Sequence, residues 1–146
     1  MKKRLFILLA VAAPALGCSQ KLTGVQPPSL VQNSLQVKYP AAKMVEWEKE
    51  GALYEAEFAI NQIEHTVLLD ATGRVVMHKQ EITSSELPQE VTLGLQRDFP
   101  SHLLDDLEKV EKDGRVYFQV ELENNNQDLK KVYASDGSVA NLPFWD

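Results

Sequence analysis

Four glutamates stand in two spaced pairs, Glu55 with Glu57 and Glu121 with Glu123, each inside a run that alternates apolar and polar residues. Residues two apart on a strand share a face, so each pair sets two carboxylates side by side. Such a patch suits a cation or a basic protein surface. Acid and base catalysis needs in addition a pocket that drives the two acidities apart. A solvated strand face is the plainer account of both pairs, and of Glu46, Glu48 and Glu50 around Trp47.

No nucleophile motif accompanies the carboxylates. Cys18 is the only cysteine, which excludes an intrachain disulfide and a cysteine-based zinc cluster. No glycine-flanked serine elbow occurs. His65, His78 and His102 lack the paired spacing of metal ligands; His78 and His102 read as surface or loop positions and His65 as a strand residue. "DATG" at Asp70 to Gly73 and "SDG" at Ser135 to Gly137 are turn chemistry, with Asp capping its own backbone and Gly accepting positive φ. The expectation is a protein that is not an enzyme, with no catalytic residue, metal or cofactor.

Contact chemistry remains. Tyr117, Glu121 and Glu123 on one strand, the polar tip Asn124, Asn125 and Asn126, and the aromatic pair Phe144 and Trp145 in "NLPFWD" form the candidate partner-binding set. Glu55, Glu57, Glu121 and Glu123 form the candidate cation set. Phe144 and Trp145 either pack against the body or stand out as an anchor.

Short elements that the sequence writes twice must position these residues. Val31, Leu35 and Tyr39 are spaced by four, as are Val91, Leu95 and Phe99, so each trio makes one apolar stripe on a helix. Pro28 and Pro88 mark the starts, and Pro40 and Pro100 the stops. "LQVKYP" and "LQRDFP" lie at an offset of 60, which becomes 64 downstream. There, Tyr54, Ala56, Phe58 and Ile60 alternate with polar neighbours as Phe118, Val120 and Leu122 do, which predicts half-buried strands. Asn61 and Asn125 match at one turn, Gly73 and Gly137 at another, and Val75 and Val139 in a last strand.

The fold class so read is α+β, two tandem repeats that are each a helix followed by a four-stranded antiparallel sheet. Helices are expected over about 29–39 and 88–99, and strands over about 43–49, 53–60, 63–70, 74–81, 106–112, 115–123, 128–134 and 138–142. One repeat buries too little to be secure alone, so the two are expected to share an interface or a continuous sheet.

The opening "MKKRLFILLAVAAPALGCSQ" has Lys2, Lys3 and Arg4 before an apolar run and a small-residue site, the pattern of a signal peptide. "ALGC" resembles the lipobox of bacterial lipoproteins, with Ala15 where such boxes carry Leu, which makes Cys18 the expected lipidation site. Residues 1–17 are then a signal peptide, 18–27 the lipidated cysteine and a tether, 28–82 the first repeat and 83–146 the second. The expected location is the periplasm or outer membrane, anchored through Cys18, with secretion as the alternative. Removal of the leader takes three basic side chains and no acidic one, moving the net charge from −6 to −9. That balance argues against nucleic acid, which needs clustered Lys and Arg, and allows a positively charged partner.

"LQVKYP" with "LQRDFP", "LYEAEF" with "VYFQVEL", and "LLDATGRVV" with "VYASDGSVA" carry a resemblance to the PepSY-like, β-lactamase-inhibitor-like family of small envelope proteins. The resemblance implies a non-catalytic domain with helix packed on antiparallel sheet, in a superfamily linked to binding peptidases and other hydrolases. It carries over no inhibitory residue. The expected function is a membrane-anchored binding module for another envelope protein, a peptidase or related hydrolase among the partner classes so implied. The alternative is an envelope sensor of a small ligand or cation.

Overall fold

A computed structural model of the protein describes residues 24–124 and 128–146. The expected signal peptide (1–17), Cys18, Asn125 and Asn126 lie outside the described residues. Helix α1 spans Ser29–Lys38 and helix α2 Gln89–Asp98. Each begins after a proline whose carbonyl accepts the first helical bonds, from Gln32 N at 3.1 Å in α1 and Thr92 N at 3.1 Å in α2. Each ends one residue before its Tyr-Pro or Phe-Pro pair, where Tyr39 N bonds Leu35 O at 2.7 Å and Phe99 N bonds Leu95 O at 2.8 Å.

Seven strands follow the chain as β1 Lys43–Glu50, β2 Leu53–Ile60, β3 Ile63–Leu69, β4 Val75–Glu81, β5 Leu103–Lys112, β6 Arg115–Glu123 and β7 Asp128–Ala134. Asn61 and Gln62, with φ of 51° and 70°, make the two-residue turn between β2 and β3; Asp113 and Gly114, at 51° and 72°, make that between β5 and β6. All seven strands form one antiparallel sheet in sequence order.

This corrects the expected fold class. The chain is not two tandem units with a four-stranded sheet each, but one mostly β sheet carrying two helices. β4 and β5 pair directly, from Met77 opposite Lys112 to Glu81 opposite Glu108, which joins the two halves in one sheet. The eighth strand, expected over 138–142, does not form. Val139 makes one isolated bridge to Tyr133 and Ala140 N bonds Val132 O at 2.8 Å, after which the chain leaves the sheet edge. Pro143 has no N–H for a ladder there, and departure lets Trp145 bury itself elsewhere.

Both helices cover the same face. Phe58, His65, Gln80, Lys109 and Phe118 stand directly opposite one another across five strands, so they share one side. Val31 and Leu35 of α1 pack on Ala56, Phe58, Val67 and Leu69, with Tyr39 and Trp47 at the margin. Val91 and Leu95 of α2 pack on Leu107, Phe118, Val120, Leu122 and Tyr133. Gly137, at φ +80°, brings its turn against α2, where a Cβ would run into the Glu90 carbonyl. Among the described residues the other face carries no helix.

Candidate functional site

The helix-free face combines a carboxylate field with an aromatic strap. Cross-strand register places Glu46 opposite Glu57, Glu48 opposite Glu55, Glu81 opposite Glu108, Asp106 opposite Glu121 and Glu123 opposite Asp128, all on this side. Like charges directly opposite in an antiparallel ladder are destabilising, so the arrangement carries a cost. Two lysines offset part of it. Lys79 Nζ lies 3.3 Å from Glu108 Oε1, and Lys130 Nζ lies 3.2 Å from Glu121 Oε1. Glu46, Glu48, Glu57 and Glu64 are exposed.

Residues 140–146 cross the same face as a strap. Trp145 is 9% exposed and packs with Leu68 and Val110, beside Leu53, Met77 and Tyr117. Its backbone N–H donates to Gln119 Oε1 at 2.7 Å, and its carbonyl accepts from Gln119 Nε2 and from Lys79 Nζ, each at 3.0 Å. Its indole N–H donates to Glu55 Oε2 at 3.1 Å. Gln119 Nε2 also donates to Glu108 Oε2 at 2.8 Å. Burial pushes the Glu55 and Glu108 carboxyls up, against the opposing pull of the Trp145 hydrogen bond on the first and of Lys79 on the second. Phe144 lies under Lys130, 4.8 Å from Nζ to the ring centroid, and Lys130 also pairs with Asp146.

The structure brings some sequence-expected contact residues together and separates others. Tyr117, Glu121, Phe144 and Trp145 gather around the strap. Asn124 instead hydrogen-bonds the His102 ring at 2.7 Å, beyond the β6 end of the face. Glu55 with Glu57 and Glu121 with Glu123 share a face but sit on β2 and β6, four strand spacings or about 19 Å apart. They do not converge on one ion. Among the described residues no group of three or more His, Cys, Asp or Glu is placed to hold a metal.

Sequence reading missed two clusters. Lys79, Glu108 and Gln119 meet only through the pairing of β4 with β5 and β5 with β6; the available signal was a glutamine inside the apolar run "VYFQVEL". On the opposite face, His65 Nδ1 and His78 Nε2 approach to 3.0 Å with rings 9° from parallel. His78 is thus a half-buried strand residue rather than a surface or loop one. Burial first, then the neighbouring His65, drives its pKa down to about 4, and burial also lowers that of His65.

No family model matches the chain, and no curated protein matches it. Solved structures share the fold. A DUF2874 family protein from Bacteroides uniformis superposes with a TM-score of 0.73 at 22% identity, covering 78% of this chain and 86% of that one. A Bacteroides eggerthii protein, provisionally assigned to the periplasm, gives 0.74 at 21% identity, covering 79% and 86%. A BLIP-like protein from Bacteroides fragilis gives 0.69 at 23% identity, covering 81% and 86%. The chain therefore has the fold of the DUF2874 and BLIP-like structures.

Proposed function

We propose that the protein is a non-catalytic, exported binding module whose helix-free sheet face engages a basic surface on another envelope protein. The observation that carries this reading is the set of five directly opposed carboxylate pairs on that face. A fold gains nothing from such pairs by itself, whereas a cationic partner would turn the repulsion into attraction and speed encounter. A sheet covered by helices on one side leaves the other as a broad, rigid platform. The likeness to a BLIP-like fold and to a protein provisionally assigned to the periplasm supports an inhibitor-like module in that compartment. The leader-like opening and Cys18 support export with a lipid anchor. The PepSY-like resemblance adds an exported peptidase or related hydrolase to the partner classes.

The test is capture from native envelope extract on the chain carrying Cys18→Ser, immobilised through its N-terminus. The expected result is one exported protein, displaced by free chain and released as salt rises. Retention that survives high salt, or that free chain does not displace, would refute a specific electrostatic face.

A further inference from the structure

We infer that the hollow holding Trp145 is a recognition site for an extended, tryptophan-bearing segment of the partner protein, and that residues 143–146 of this chain fill it in the partner's absence. This rests on the binding-module reading above and names the partner's contact chemistry.

The hollow reads a peptide in two ways. Gln119 accepts the N–H and donates to the carbonyl of one residue, and Lys79 donates to the same carbonyl. Those bonds are to main-chain atoms, so any extended segment with a residue other than proline at that place supplies them. Selectivity comes from the side chain. The indole stacks into the apolar floor of Leu68 and Val110 while its N–H reaches Glu55. Phenylalanine lacks that donor, and a half-buried carboxylate covered by the ring but left without it is disfavoured.

The receiving groups are held in place without the strap. Lys79 and Gln119 both bind Glu108, and the three residues stand on the adjacent strands β4, β5 and β6. With the strap seated, Lys79 is 8% and Gln119 1% exposed, so the strap closes over a polar cluster set in an apolar floor. The occupant is tied by side chains of the body and not by a strand ladder. Among the described residues, the last main-chain to main-chain bond before it is that of Ala140 with Val132. Asn141, Pro143 and Asp146 are exposed. The Trp145 side chain, its four hydrogen bonds and the contacts of Lys130 with Phe144 and Asp146 hold the segment, all of them through side chains of the body. Lys130, touching Phe144 and Asp146, extends the preference to an aromatic residue before the tryptophan and an acidic one after it.

The test uses the full chain with a protease site inserted between Asn141 and Leu142, folded whole, then cut and dialysed to remove the released segment. A fluorescein-labelled, end-blocked peptide of sequence 141–146 is titrated in and read by anisotropy. A strap that fills the hollow more than nine-tenths of the time makes the uncut chain bind at least about tenfold more weakly than the cut one. Replacing the peptide's tryptophan by alanine, or making Gln119→Leu in the cut chain, should weaken binding by a similar factor. A cut chain that keeps its near-ultraviolet dichroism yet binds no peptide overturns the inference, as does equal binding of the alanine peptide. Uncut chain found only as a dimer with exchanged straps overturns the partner in favour of a second copy. Peptide failure together with intact salt-sensitive capture rejects the hollow and leaves the carboxylate face standing. Peptide binding without capture does the reverse.

Discussion

Acidification should destabilise the protein through its paired histidines. In the folded chain one of His65 Nδ1 and His78 Nε2 donates to the other at 3.0 Å, so a proton added to the acceptor sets two donors face to face. Lys38 at the end of α1 and Tyr39 just after it, Phe58 from β2, and Lys109 and Glu111 from β5 surround the pair; the lysines oppose a further positive charge and Glu111 partly favours it. The folded pKa of His78, about 4, lies below its ordinary value of 6.5. Between those values the unfolded chain binds the proton and the folded chain does not, so stability falls as pH falls through that window. At about 1.4 kcal/mol per pH unit the ceiling is about 3 kcal/mol. His78 is only half-buried, and solvent screening reduces the expected loss to about 1.5 kcal/mol. Glu55, Glu81 and Glu108, whose carboxyls are pushed up chiefly by burial, work in the opposite direction, because the folded state then holds protons the unfolded state has released. A difference between variants isolates the histidines. Urea unfolding at pH 7 and pH 4.5 should show the wild type losing about 1.5 kcal/mol more than the double variant His65→Gln with His78→Gln. Equal losses in the two proteins would refute the reasoning, as would a His78 titration midpoint near 6.5 by NMR.

Three further outcomes follow from packing and charge. Trp145→Ala should cost about 2–3 kcal/mol in urea unfolding, below the ~3–5 of a fully buried tryptophan because a released strap regains chain entropy. Gly137→Ala should cost about 2 kcal/mol or more in the same assay, since φ is +80° and the new Cβ meets backbone at Glu90, and Gly73→Ala should cost a comparable amount, since its φ is also +80° and its Cβ meets Ser34 Cβ on α1. Glu57→Lys removes the repulsion with Glu46 and should raise stability by about 0.5 kcal/mol while weakening capture, a trade of function for stability.

Local pattern was legible where one residue's neighbours decide its state. The four-residue spacing of Val31, Leu35 and Tyr39 located α1, and alternation in "LYEAEFAI" located β2 with the same bounds the structure has. Pairing between distant strands was not legible. Nothing in "VVMHKQE" announces that β4 will bond to β5, so the sequence allows a continuous sheet as one of two alternatives without fixing it, and the meeting of Lys79 with Glu108 stays hidden. The expected last strand failed for a related reason. Val139 matches Val75 in pattern, but β4 pairs on both sides whereas the chain after Val139 has a neighbour on one side only. Burying Trp145 then outweighed a short edge ladder. The glutamate pairs were visible as strand-face residues, yet that five carboxylate pairs oppose one another depends on register, which alternation alone does not fix.

The central claim is that the helix-free face binds the partner. The most direct measurement compares capture from envelope extract by three immobilised chains: the wild type, a face variant with Glu57→Lys and Glu64→Lys, and a helix variant with Val37→Glu and Leu93→Glu. All four altered positions are exposed, so each chain should fold. The account predicts that the wild type and the helix variant retain the same protein and that the face variant loses it. Retention by the face variant, with loss in the helix variant, would contradict it.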